Sequence, residues 1–208
     1  MRRRYPSGWR RKYRARPYTM KQKSALKLAK SNRRKINSSH EVKWKYLPRA
    51  VITTATNGVV IPISLLAVGN TPITRIGDKI HAESIEIRCE DDSTDGVTVR
   101  VMLVKDNQQH GTLPVITDIL AEQTIIAPRN AAKLDRYKVI WDSVKGLSSD
   151  INGQNWIMKR KLNHNIAYIG DAADQASQGK GNLYLVVISH NAGGADSFGY
   201  STMLGFSD

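Results

Sequence analysis

Val97-Thr-Val-Arg-Val-Met-Leu-Val104 decides the fold class. Val97, Val99, Val101 and Leu103 fall on one side of an extended chain, and Thr98, Arg100, Met102 and Val104 on the other. This is the period-2 spacing of a β-strand. β-Branched residues fill the run, and their stiff side chains suit a pleated strand better than a helix. Downstream, Tyr137, Val139 and Trp141 alternate with Lys138, Ile140 and Asp142. Trp156, Met158, Arg160 and Leu162 share a face that accommodates one charge; Trp141 and Trp156 both read as core. Residues 182–189 are apolar on both faces and read as a central strand, while residues 80–89 start mixed and then alternate through Ile85, Ile87 and Cys89. With residues 41–54 and 198–206 the count comes to about eight strands. One short helix is expected near residues 114–120, where Pro114 can open it, and long irregular connections at 121–135 and 170–181. The expected class is all-β: a single eight-stranded antiparallel sandwich. The pattern alone admits a jelly roll, an immunoglobulin-like sandwich or a barrel.

At 208 residues the chain can hold one domain and a tail. Its formal charge of +14 points to a polyanionic partner. That charge is not spread evenly. Residues 1–35 hold 15 Lys or Arg and no acid; the other 173 residues hold 17 cations against 18 anions, a net of −1. A polycationic arm (residues 1–40) therefore precedes a nearly neutral body (residues 41–208). Cys89 is the sole cysteine, which excludes an intramolecular disulfide framework and suits a reducing compartment. No apolar stretch is long enough to cross a bilayer, so no membrane insertion is expected. Met-Arg-Arg-Arg at the start has no apolar run behind it, and a secretory route is not expected.

Arginine leads in the first half of the arm (Arg2, Arg3, Arg4, Arg10, Arg11, Lys12, Arg14, Arg16), and lysine in the second (Lys21, Lys23, Lys27, Lys30, Arg33, Arg34, Lys35). Tyr5, Trp9, Tyr13 and Tyr18 are interleaved with the arginines. Guanidinium groups bind phosphate in a bidentate way and aromatic rings stack on unpaired bases. The mixture suits sequence-independent binding of single-stranded nucleic acid. Pro6, Gly8 and Pro17 oppose a continuous helix in the first eighteen residues. Residues 20–34 lack Gly and Pro, and a helix there aligns Lys23, Lys27, Lys30 and Arg34 on one stripe. So short a helix is expected to order only on binding, leaving the free arm partly disordered. Its few small apolar residues offer too little surface for a membrane. A solubilising tail or a nuclear-import signal needs fewer than fifteen charges, though a role with the host import machinery is compatible with packaging.

Four segments, in order, resemble the satellite tobacco necrosis virus-like coat proteins. Lys35-Ile-Asn-Ser-Ser-His-Glu-Val-Lys-Trp-Lys45 resembles the junction of arm and strand B, and Arg75-Ile-Gly-Asp-Lys-Ile-His-Ala-Glu-Ser-Ile-Glu-Ile-Arg88 the lead into strand C. Val101-Met-Leu-Val-Lys-Asp-Asn-Gln-Gln-His-Gly-Thr-Leu-Pro-Val-Ile-Thr-Asp-Ile-Leu120 is similar to strand D and its loop, and Asp135-Arg-Tyr-Lys-Val-Ile-Trp-Asp-Ser-Val144 to strand E. The resemblance spans residues 26–148 and continues beyond as strand pattern. Similar segments occur in coat proteins of small circular single-stranded DNA viruses, and the Arg-Tyr-rich leader is more typical of those. The resemblance implies a viral-capsid jelly roll and a T=1 shell of sixty subunits, a homo-60-mer packaging a single-stranded genome, with DNA favoured over RNA. It places the chain in the virion, and in the host nucleus or cytoplasm during assembly.

Catalytic chemistry is not expected, nor a cofactor or a metal. His40, His81, His110, His164 and His190 are scattered without zinc-ligand spacing. Gly179-Lys180 lacks the rest of a phosphate loop and reads as a flexible connection. Glu90-Asp91-Asp92-Ser-Thr-Asp95-Gly96 reads as a solvated turn ahead of a Ca²⁺ site. Asn37-Ser38-Ser39 matches a glycosylation sequon that lacks a secretory context. The rival to a coat protein is a single-stranded nucleic-acid chaperone with a basic tail. It is disfavoured because the stacking aromatics sit in the arm.

Overall fold

The computed structural model describes residues 27–29, 41–54, 57–91, 97–108, 111–146, 155–190 and 196–208. The chain divides after His40, and Glu41–Asp208 holds all the strands found among the described residues. They are β1 (Lys43–Thr54), β2 (Val59–Pro62), β3 (Lys79–Asp91), β4 (Thr98–Asp106), β5 (Tyr137–Gly146), β6 (Asn155–Ala167), β7 (Leu183–Ser189) and β8 (Asp196–Ser207). A one-turn helix α1 (Ile116–Ile119) and a 3₁₀ turn (Ala131–Lys133) lie between β4 and β5.

Pairing is nested. β1 pairs with β8, β2 with β7, β3 with β6 and β4 with β5, all antiparallel. One long hairpin has thus been rolled up. Further pairing of β8 with β3 and of β7 with β4 closes two four-stranded sheets, β1-β8-β3-β6 and β2-β7-β4-β5. This is the jelly roll, and the sandwich expected from sequence is present. The sequence pattern located seven of the eight strands and missed β2, whose four residues are too few to show a period. With β2 standing as strand C, the segments likened above to C, D and E each move one letter along.

The main core lies between the sheets. Ile85, Ile87, Val101, Leu103, Leu185, Val187, Phe198 and Phe206 are buried there. Each such side chain removed from water contributes about 1.5–3 kcal/mol. Trp141 and Trp156 pack partly buried against this core, and Trp156 lies 5.8 Å from the Phe198 ring. All seven residues of β7 are buried, because the β2-β7-β4-β5 sheet is covered on both faces. On its far side Met102, Val104, Tyr184, Val186 and Ile188 meet Ile116, Ile119, Leu120 and Ala127. The connection after β4 is therefore a third layer rather than an end loop. Arg100 fastens it. Its guanidinium grips Asp142 on β5 in a fork (2.9 and 2.6 Å) and donates to the Ile125 (3.1 Å) and Ala127 (2.6 Å) carbonyls.

A bulge explains the mixed start of β3. Register shifts between Ala82 and Ser84 against both β6 and β8. The inward set accordingly changes from Ile80 and Ala82 to Ile85, Ile87 and Cys89. Asn163 at φ 51° absorbs the same irregularity on β6. The β2–β3 connection is held by Arg75, fully buried, whose guanidinium donates to the carbonyls of Leu66 (3.1 Å), Gly77 and Gly170 and lies 4.2 Å over the Tyr168 ring.

Candidate nucleic-acid interface

Among the arm residues assigned to nucleic acid, Lys27 alone lies in the described part; residues 27–29 are helical and exposed. The other cations, Tyr5, Trp9, Tyr13 and Tyr18, and the rest of the expected helix lie outside the described residues.

The sheet that carries β1, the first strand after the arm, continues the mixture of rings and cations. Trp44 and Tyr46 point away from the core, 45% and 58% exposed. Their register partners on β8 are Gly205 and Met203. A Cβ on Gly205 would stand 2.9 Å from the Trp44 ring, so the indole lies across a bare stretch of backbone. Next along the same face comes β3, where Ser84 pairs with Gly205 and Glu86 with Met203. Beyond it, Lys161 and Lys159 on β6 pair with Ser84 and Glu86. The result is a shallow groove lined by Trp44, Glu86, Lys159, Lys161 and Met203.

Glu86 is the electrostatic hub of this face. Lys159 Nζ (2.8 Å) and Arg88 Nε (2.7 Å) both reach its carboxylate, and these hydrogen bonds hold it below the usual carboxylate range. Arg49 donates to Glu90 at 2.6 Å. Two carboxylates thus stand against four cations, Lys159, Lys161, Arg88 and Arg49, so the face offers stacking surface together with a modest excess of positive charge. Sequence reasoning missed Trp44 and Tyr46. In Lys43-Trp-Lys-Tyr46 alternation alone sends the rings inward and the lysines out. The structure does the reverse, and Lys43 is held at the other face by the Asp208 carboxylate and the Thr74 carbonyl.

Of the remaining candidates, His81, His164 and Glu90 have structural partners, and His40 and His110 lie outside the described residues. His81 Nδ1 lies 2.8 Å from Asn165 Oδ1, and His164 Nε2 lies 3.1 Å from the Gly181 carbonyl oxygen. Glu90 of the acidic stretch is engaged by Arg49, while residues 92–96 lie outside the described part. Among the described residues no group of three or more His, Cys, Asp or Glu could hold a metal ion, and no helix is long and apolar enough to cross a membrane. The Gly179-Lys180-Gly181 connection, expected to be flexible, is instead locked. Gly179 N–H donates to the Ala167 carbonyl (2.9 Å), Ala167 N–H to the Lys180 carbonyl (2.8 Å) and Gly181 N–H to the Asp106 carbonyl (2.7 Å).

The family model described as satellite tobacco necrosis virus coat protein matches residues 16–208. The coat protein of Satellite tobacco necrosis virus 2 is 29% identical over 150 residues, covering 68% of this chain and 74% of that protein. Among solved structures, infectious bursal disease virus Gx strain is similar over 81% of this chain and 32% of that one, with 13% identity and a TM-score of 0.40. The Gt strain of the same virus gives 12% identity, 81% and 38% coverage and a TM-score of 0.34. The chain spans about a third of the length of those solved chains.

Proposed function

Because the chain belongs to the satellite tobacco necrosis virus coat protein family, a family of structural and non-enzymatic capsid proteins, we propose that sixty copies close a T=1 shell around a single-stranded nucleic-acid genome. The observation that carries this reading is the segregation of charge: +15 within residues 1–35 against −1 in the remainder. A neutral body lets like copies pack side by side without mutual repulsion, while the arms supply all the excess cation. Sixty arms bring about 900 positive charges, enough to neutralise a genome on the order of a thousand nucleotides. The cargo we favour is circular single-stranded DNA, supported by the Arg-Tyr-rich leader, in which Arg2–Arg4, Arg10, Arg11, Arg14 and Arg16 alternate with Tyr5, Trp9, Tyr13 and Tyr18. A DNA cargo implies passage through the host nucleus, for which the same arm serves as an import signal.

Electron microscopy of the purified protein, with absorbance at 260 and 280 nm on the same sample, tests the assembly. Uniform closed particles carrying nuclease-protected nucleic acid support it, and digestion of the extracted cargo with DNase or RNase identifies the acid. A monodisperse monomer or dimer that binds single strands and never closes at any salt concentration would replace the shell with a strand-binding chaperone.

A further inference from the structure

One end of the sandwich gathers cations without counterions. Lys105 near the end of β4 lies directly opposite Lys138 at the start of β5, so both side chains leave the same side of the sheet. Lys180 comes from the β6–β7 turn, and His164 of β6 lies against that turn through the Gly181 carbonyl. Among the described residues no carboxylate forms an ion pair with Lys105, Lys138 or Lys180. Asp106, beside Lys105 in sequence, is fully buried and taken by the Arg136 fork (2.9–3.2 Å). Burial lowers the Lys105 pKa, and the charges of Lys138 and Lys180 lower it further.

Like charges set directly opposite on a ladder destabilise it, and here a third is added beside them. Nor can Lys180 drift away with its backbone. The three hydrogen bonds of its turn hold it, and Gly181 at φ +94° passes so close to β6 that a Cβ would stand 2.3 Å from the Asn165 carbonyl oxygen. The repulsion is built into a rigid frame, an arrangement that a bound anion would turn from cost to gain.

We propose that Lys105, Lys138 and Lys180 together bind a phosphate group between the end of β4, the start of β5 and the β6–β7 turn. Three ammonium groups from three elements suit an oxyanion with several acceptor oxygens spread in space, better than a planar carboxylate of single charge. The same chemistry is offered by two sources, a phosphodiester of nucleic acid and free inorganic phosphate. The site lies in the folded body and stands apart from packaging by the arm.

The test uses the full-length protein, the single variants K138Q and K180Q and the triple variant K105M/K138Q/K180Q. In sodium chloride the variants should unfold at the same temperature as the parent or higher, since repulsion has been removed. Sodium phosphate at matched ionic strength should raise the midpoint of the parent by clearly more than that of the triple variant, which keeps only the general stabilisation by a kosmotropic anion. Each single substitution should weaken half-saturation about tenfold. Every form carries the same arm, so phosphate on the arm cancels in the comparison. Acetylation of lysines with and without a single-stranded oligonucleotide separates the sources. Protection of the three lysines by the oligonucleotide assigns the phosphodiester; a phosphate shift without such protection assigns the free ion. Equal phosphate shifts in parent and triple variant would overturn the site, and so would variants less stable in chloride. Protection that rises only with protein concentration would replace phosphate with an acidic surface of a second copy.

Discussion

Replacing Arg75 by methionine keeps most of the apolar stem and removes the guanidinium, and the structure sets the expected loss. The Leu66 carbonyl is buried and has no other donor among the described residues, so leaving it unpaired costs about 1–3 kcal/mol. The Gly77 and Gly170 carbonyls are partly buried, and water replaces much of what they lose. The stacking on Tyr168 at 4.2 Å contributes about 1–2 kcal/mol at a desolvated site. Removing a buried charge offsets part of this total, since Asp78 at 3.8 Å is itself exposed and gives little compensation. The net expectation is a loss of about 2–4 kcal/mol, a large share of the 5–15 kcal/mol that holds an ordinary domain. Arg75→Lys should do no better, because one ammonium group cannot span three carbonyls and remains desolvated. Urea unfolding of the unassembled protein, followed by tryptophan fluorescence and far-ultraviolet circular dichroism, measures both variants at equal m-values. A loss below about 1 kcal/mol for methionine, or full rescue by lysine, would refute the view that Arg75 fastens the β2–β3 connection.

Burial pushes the Cys89 thiol up to about 12, so a disulfide reagent at pH 8 should not label the native protein and should label one thiol per chain in denaturant. The native state keeps its proton where the unfolded thiol, near 9.0, gives it up; stability should therefore be full below pH 9 and fall as pH rises toward 12. Rapid native labelling at pH 8 would contradict this. Gly205→Val should displace the half-exposed Trp44 ring, costing about 1 kcal/mol with a shift in fluorescence; an unchanged spectrum would place the ring elsewhere. Deleting residues 1–35 should abolish nuclease-protected cargo while the β circular dichroism and urea midpoint of the body persist, and a truncated chain that fails to fold would make the arm structural.

Alternation along a strand is a local property, and it survives in the fold wherever pairing is regular. Val97, Val99, Val101 and Leu103 face the core, Leu183–Ser189 form the strand buried on both sides, and Trp141 and Trp156 pack against the core. Charge segregation is likewise legible by composition alone, because no fold is needed to count fifteen cations in residues 1–35. At Ile80–Ser84 alternation was uninformative because a bulge reverses the inward set, a decision taken by β6 and β8 rather than by β3. β2 was invisible for want of length, its identity as a strand resting on four pairings with β7 more than a hundred residues away.

The sequence by itself determined an all-β body, an arm that carries the excess charge and the sides on which most apolar residues lie. Each of these depends on nearest neighbours or on composition. Only the tertiary structure decided that the strands nest as β1·β8, β2·β7, β3·β6 and β4·β5, and that the segment after β4 lies as a third layer under Arg100. It also decided that Trp44 and Tyr46 face outward, that Lys105 pairs opposite Lys138, and that the turn carrying Lys180 is bonded to the end of β4. The physical reason is common to all of these: which face a side chain presents, and to what, is set by the register of pairing with strands distant in sequence. Shifting that register by one residue would turn every side chain of a strand over.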